Sequence, residues 1–273
     1  SINSLIYATK LLKLTYFCRK YCSKIIHVLS YIKKHIPNGI TLLNLFAGVL
    51  SVAFASIGNF YFAGLLILIA ALLDFLDGFL ARLLQAYSPI GKELDSLADI
   101  ISFGFAPAFM MYIYLKKILL SNYLTADILY GPLPELLMIL SPFLLTAFAA
   151  LRLAKFNVST AQKTYFLGLP TPAMAIFFAS AILSFNTPWL NDVSIYAWHW
   201  VVLIVVFSSL MVIPLHMFSL KFIGFGWHNN EIRYIFIGIS LILLVTLQTL
   251  GLSIAIVLYI FLSGVTNIMD LNY

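Results

Sequence analysis

Residues 72–99, LLDFLDGFLARLLQAYSPIGKELDSLAD, hold Asp74, Asp77, Glu93, Asp95 and Asp99, five of the chain's 10 acidic residues. Almost everything around them is apolar. Of 273 residues, 62% are hydrophobic and 10% are charged, and the mean hydropathy is +1.01. Soluble domains carry charge on about a quarter of their residues, so this composition excludes a water-soluble protein, and no nucleic-acid partner is expected. A helical crossing of the bilayer takes about 20 apolar residues. Runs of that kind at 38–57, 61–83, 96–115, 134–153, 170–187, 195–214, 232–250 and 252–269 predict about eight transmembrane helices, the last two meeting in a hairpin at 250–252. The runs are continuous and do not alternate, which excludes a β-barrel. The expected fold class is an all-α polytopic membrane protein.

Charge sets its orientation. Of the 16 Lys and Arg, all but Lys116 and Lys117 fall on one side of an eight-span arrangement. The positive-inside rule makes that side cytoplasmic, with both termini and the carboxylate cluster there. Residues 1–36 carry many cations among Leu, Ile, Tyr and Phe and no acid, and no cleavable signal peptide is read in them. They suit either a basic amphipathic helix lying along an anionic leaflet or a plain topogenic segment. The expected organisation is this juxtamembrane segment, a catalytic helical core at 37–190, and additional transmembrane helices at 191–273 in the same domain. Cys18 and Cys22, on a cytoplasmic segment, decide nothing about function.

Why would so apolar a chain gather its acids? Asp74 and Asp77 are i and i+3 on one helix; Asp95 and Asp99 are i and i+4 on the next. Between them QAYSPIG, with Ser88-Pro89 and Gly91, lets the chain reverse, so the four carboxylates can converge near the cytoplasmic interface. Near lipid an uncompensated charge costs several kcal/mol, and Arg82 alone cannot neutralise four acids. A hard, all-oxygen donor set suits Mg²⁺ or Mn²⁺, with room for two ions. Gly78 and Ala81 leave the acid-bearing face nearly bare, so a ligand can approach the backbone. Arg82 offers a fork of donors for phosphate. Glu93, i+2 from Asp95's side, reads as a solvated acid.

The spacing D-x2-D-G-x2-A-R-x8-G-x3-D-x3-D resembles the signature of the CDP-alcohol phosphatidyltransferases, which carry it on their second and third membrane helices. PNGITLLN before it, and LDSLADIISFGFAPA and RLAKFN…GLPTPA after it, extend the resemblance over about residues 36–175, and it looks most like the serine-using branch, the phosphatidylserine synthases. The resemblance implies that Asp74, Asp77 and Asp95 ligate divalent metal. It makes Asp99 the general base and a ligand of a second ion. It assigns CDP-diacylglycerol contacts to Gly78, Ala81, Arg82 and Ser88, with Asn38 and Thr41 near the nucleotide. It also implies a homodimer and transfer of a phosphatidyl group from CDP-diacylglycerol to L-serine, with CMP released.

Relatives that use phosphorylated acceptors commonly place Lys or Arg directly after the fourth aspartate, where this chain has Ile100. Ser102-Phe103-Gly104 resembles the serine branch instead. For serine's carboxylate the candidates are Arg152 and Lys155, which also read as a positive-inside flank; Ser102 and Asn157 are candidates for its ammonium or hydroxyl. Transfer to glycerol 3-phosphate or an inositol phosphate is the alternative. A cation or proton transporter is a distant one, since its acids would be spread through the bilayer depth.

Overall fold

A computed structural model describes residues 33, 35–119, 132–158, 168–185, 196–217, 226 and 230–268. Nearly all of residues 1–36, where the amphipathic helix was expected, lie outside this set.

The described residues are almost wholly helical. Helix α1 is His35–Ser56 and α2 is Phe60–Leu84. A span of 31 residues, Pro89–Leu119, follows; it comprises α3 (Pro89–Asp99), a π-helical turn (Ile100–Phe105) and α4 (Ala106–Leu119). Then come α5 (Leu133–Leu140), α6 (Phe143–Val158), α7 (Thr171–Phe185), α8 (Ala197–Val212), α9 (Glu231–Leu247) and α10 (Thr249–Ile268).

Four helices among the described residues are long and apolar enough to cross a membrane, or five if α5 and α6, bent by 41° at their junction, form one broken span. The eight-span expectation is therefore reached only in part. The runs at 170–187 and 195–214 are apolar along their whole length, but their described helices have 15 and 16 residues. At 1.5 Å per residue these cover roughly 22–24 Å, short of a core about 30 Å thick. The α9–α10 break also falls earlier than the expected 250–252, at Gln248, whose φ is +51°. Gly251 lies so close to the Leu243 carbonyl that no side chain fits there.

Small residues bring the helices together, as membrane helices require when water supplies no drive for association. Ala63, Ile67 and Ala70 form a fully buried stripe on α2. A Cβ on neighbouring Gly64 would come within 2.8 Å of Leu183 on α7. Ser51 Oγ donates to the Ala63 carbonyl at 2.8 Å, tying α1 to α2. Deeper in, Phe177 and Phe207 stack with centroids 4.3 Å apart, and Trp200 meets Tyr114 and Phe185 edge-on. This core runs continuously from α1 to α10. Leu42, Phe46, Phe75, Phe79, Ile242 and Phe261 point outward, where lipid would meet them.

Helix α1 crosses the π-turn at Gly48, where a Cβ would sit 2.7 Å from Ser102 Cα. Gly48→Ala is therefore expected to force the two segments apart and cost about 1–3 kcal/mol, read as a lower thermal midpoint in detergent. An unchanged midpoint would show that this crossing is looser than the packing indicates.

Candidate active site

The reversal between the two aspartate pairs is built by local chemistry. Helix α2 ends where Gln85 takes up left-handed geometry (φ +51°, ψ +40°) and the Ala86 amide donates to the Ala81 carbonyl at 3.0 Å, which satisfies carbonyls that the helix end leaves open. Three residues on, Ser88 Oγ accepts from the Gly91 amide at 2.9 Å, with Pro89 in the first turn. This is an N-cap of the usual kind. Gly91 leaves room here: a Cβ would meet Asn38 Oδ1 at 2.8 Å and Ser88 Oγ at 2.9 Å, so these side chains would have to shift. The start of α1 therefore nests against the start of α3, and Asn38, Ser88 and Gly91 form one group.

Above this turn, Asp74, Asp95 and Asp99 converge. One carboxylate oxygen from each lies within 4.8 Å of the others. Asp77, 6% exposed, faces Asp74 and Asp95 electrostatically and is fixed by Thr41. Thr41 Oγ1 sits 2.7 Å from Asp77 Oδ2 and 3.0 Å from the Pro37 carbonyl oxygen, so its single hydrogen is shared between two acceptors. Thr41, expected near the nucleotide, is buried and orients a carboxylate. A partly buried set of close carboxylate oxygens is a fit donor set for a divalent ion of the Mg²⁺ or Mn²⁺ type.

The remaining donor-side residues occupy the α2 face. A Cβ on Gly78 would meet nothing within 4 Å, so the bare patch read from the sequence is open space. Arg82 is exposed, and its Nε donates to the Gly78 carbonyl at 3.0 Å, which leaves its terminal nitrogens outward. Ala81 is half-buried beside it, and Glu93 is exposed, as a solvated acid should be.

The four expected acceptor residues separate. Ser102 is fully buried and donates to the Asn44 carbonyl at 3.0 Å, a bond that joins the π-turn to α1. Asn157 Nδ2 donates to Ser96 Oγ at 3.0 Å, docking α6 on α3. Arg152 is different: its Nε is buried with no hydrogen-bond partner, and so is Asp99 Oδ1. The guanidinium lies within electrostatic reach of Asp99. Arg152, Lys155 and Phe156 also line a cavity of about 230 Å³, together with Met211–Pro214 at the end of α8.

Some contributors lie in stretches quoted for the resemblance but were not singled out as site residues. Asn44 is fully buried with neither side-chain polar atom bonded. Gly168, at φ +76°, donates its amide to the Leu215 carbonyl at 2.8 Å, and Leu169 donates to the Leu210 carbonyl at 2.9 Å. The GLP segment thereby pins the chain that closes the cavity, and a Cβ on Gly168 would strike the Met211 carbonyl.

Comparison with known proteins adds to this geometry. A family model described as CDP-alcohol phosphatidyltransferase matches residues 34–208. The chain is 35% identical over 152 residues to the CDP-diacylglycerol–serine O-phosphatidyltransferase of Helicobacter pylori, covering 55% of this chain and 58% of that protein. It is 34% identical over 152 residues to the protein of that name from Bacillus subtilis, covering 56% and 76%. It is 36% identical over 151 residues to the archaetidylserine synthase of Methanothermobacter thermautotrophicus, covering 55% and 58%. The chain thus spans a little over half the length of the first and third of these relatives. The family is a membrane-enzyme family generally dependent on divalent metal, in keeping with the long apolar helices and the aspartate cluster. Because the matched stretch contains α1, α2 and α3, every helix that contributes to that cluster, this chain belongs to the CDP-alcohol phosphatidyltransferase family.

Proposed function

We propose that the chain transfers the phosphatidyl group of CDP-diacylglycerol to the hydroxyl of L-serine, giving phosphatidylserine and CMP, on the cytoplasmic side of the membrane. The observation that carries this reading is the convergence of Asp74, Asp95 and Asp99 oxygens within 4.8 Å beside an unpartnered Arg152 Nε. The names of the relatives support serine as acceptor, and so does Ile100, where a phosphorylated alcohol would favour a cation. A third relative is named archaetidylserine synthase, again a serine product.

In this mechanism Arg82 and the open face at Gly78 and Ala81 receive the diphosphate, with Asn38 and Ser88 bordering it. Asp99 accepts the proton as the serine oxygen forms its bond to the lipid-side phosphorus and the bond from that phosphorus to the CMP oxygen breaks. A serine hydroxyl is a weak nucleophile until a positioned base takes its proton. Two divalent ions, Mg²⁺ or Mn²⁺, held by Asp74, Asp77, Asp95 and Asp99, would supply charge stabilisation to the diphosphate and the leaving CMP. Arg152 receives the serine carboxylate from the side opposite the donor, with Lys155 at the mouth of the same cavity. Ser102 and Asn157, bonded to Asn44 and Ser96, hold the helices that shape this half. Homodimerisation through the membrane helices belongs to the same proposal and rests on the family resemblance.

A second reading keeps the reaction and changes the acceptor. Two cations on one cavity also suit a phosphate, as in glycerol 3-phosphate or an inositol phosphate.

Purified protein is expected to release CMP from CDP-diacylglycerol with L-serine and not with glycerol 3-phosphate, inositol phosphate or water; release with a phosphorylated alcohol alone would select the second reading. Asp99→Asn should lower kcat by about 10²–10⁴-fold, the span of a lost general base. EDTA should abolish turnover, and added Mg²⁺ or Mn²⁺ should restore it; activity that survives chelation would remove the metal from the mechanism. Arg152→Ala should raise the KM for serine by about tenfold or more, with the KM for CDP-diacylglycerol unchanged. A wild-type serine KM in that variant would release Arg152 from its role.

A further inference from the structure

Asn44 is fully buried on α1, and among the described residues neither its Oδ1 nor its Nδ2 has a hydrogen-bond partner. A carboxamide buried without partners is costly unless something bonds it, and a leucine of similar size would fill the same space without that cost.

Contacts on either side of Asn44 fix its place. Helix α1 runs parallel to the Pro89–Leu119 span and touches it at two levels. A Cβ on Gly91 would meet Asn38 Oδ1 at 2.8 Å, and a Cβ on Gly48 would sit 2.7 Å from Ser102 Cα. Asn44 lies between these levels on α1, as Asp95 and Asp99 lie between Gly91 and Ser102 on the facing span. Its own carbonyl accepts from Ser102 Oγ at 3.0 Å, three residues beyond Asp99. Helix α1 runs antiparallel to α2, which it meets at Thr41–Asp77 (2.7 Å) and Ser51–Ala63 (2.8 Å). One turn on from Thr41 is Asn44; one turn back from Asp77 is Asp74. Asn44 is therefore level with Asp74 on one neighbour and with Asp99 on the other, and carboxylate oxygens of these two lie within 4.8 Å of each other.

The side chain is turned to that interior. Thr41, Asn44, Gly48 and Ser51 form one buried stripe, whereas Leu42 and Phe46 are exposed. Helix side chains lean over the turn N-terminal to them, which for Asn44 is the turn of Thr41, on the cluster's side. Asp99 Oδ1, at the same level, is also buried with no partner among the described residues.

We infer that Asn44 is a further residue of the cation site: its Oδ1 takes the divalent ion, directly or through one of its waters, and its Nδ2 donates to a carboxylate oxygen of the cluster. This rests on the metal-dependent reading proposed above. Ionised carboxylates offer Nδ2 an acceptor but give Oδ1 no donor, so the whole amide is satisfied only when a hydrated cation lies among them. A neutral oxygen also adds a ligand without adding to the repulsion between the acids.

Mn²⁺ binding by the purified full chain in detergent, with no substrate present, tests this through the EPR signal of free Mn²⁺. Asn44→Leu keeps the backbone carbonyl that Ser102 uses and replaces only the amide. Its thermal midpoint in EDTA should equal or exceed that of wild type, since an unpaired polar group has gone. Its Kd for Mn²⁺ should rise about 10–100-fold. A purely structural asparagine would give the reverse, a lower midpoint with an unchanged Kd, and that result overturns the inference. Asn44→Ala, which only deletes atoms, is expected to lose the same affinity and supplies the answer if the leucine variant does not fold. Asp95→Asn is the reference for the site itself. Loss of Mn²⁺ affinity in Asp95→Asn with wild-type affinity in the Asn44 variants would overturn this inference alone. Wild-type affinity in Asp95→Asn would take Asp95 out of metal binding, and both the proposed cation site and this inference would fall.

Discussion

Like charges held close together in a poor dielectric govern the rest of this structure. Two carboxylates about 4–5 Å apart repel by roughly 3–4 kcal/mol at an effective dielectric near 20, and here three converge with a fourth beside them. Among the described residues no nearby cation balances them all: Arg82 is exposed and bonds back to its own helix, and Arg152 lies within electrostatic reach of Asp99. Such a cluster persists only where the scaffold over-determines it, and the scaffold does so at several points. Thr41 bonds Asp77, the Ser88 cap fixes where α3 begins, and Gly91 lets α1 approach that cap. The repulsion that these bonds resist is also what would give a divalent cation affinity for the cluster.

The convergence of the aspartates was legible because its determinants are local. Periodicity along a helix puts Asp74 beside Asp77 and Asp95 beside Asp99, and a turn of known chemistry brings one pair onto the other. Each of these statements needs only neighbours within about a dozen residues. The surroundings of the residues expected at the acceptor depend on partners far apart along the chain. Ser102 finds its acceptor 58 positions away, Asn157 bonds a residue 61 positions away, and α10 meets α7 through hydroxyls more than 60 positions apart. Nothing in SFG or in RLAKFN indicates which side of its helix is taken up by packing. Ser102 therefore looked like a ligand residue and is engaged in a helix crossing.

The same distinction explains the fold. Hydropathy measures how far a run stays apolar, and α2 agrees with its predicted run to within a residue at each end because Asn59 and Gln85 terminate it locally. It does not measure how much of the run is helix. Helix α8 ends at Ile213-Pro214, where the chain turns extended to pair with the GLP segment, although the apolar character continues beyond. The π-turn at Ile100–Phe105 was equally hidden, since nothing in IISFGF specifies it; at its centre Gly48 approaches Ser102 closely and the Asn44 carbonyl accepts its hydroxyl.

These two halves have different freedom to vary. The aspartate frame is set by spacing, and a one-residue change in that spacing would rotate a carboxylate out of the cluster by about 100°. In the proposed mechanism the acceptor side is drawn from α6 and the exit of α8, well separated along the chain from the aspartates. A substitution there would change what is bound beside Asp99 without disturbing the aspartates. The proposal therefore places the transfer chemistry in a signature on α2 and α3, and the choice of alcohol in segments whose sequences contain no compact motif.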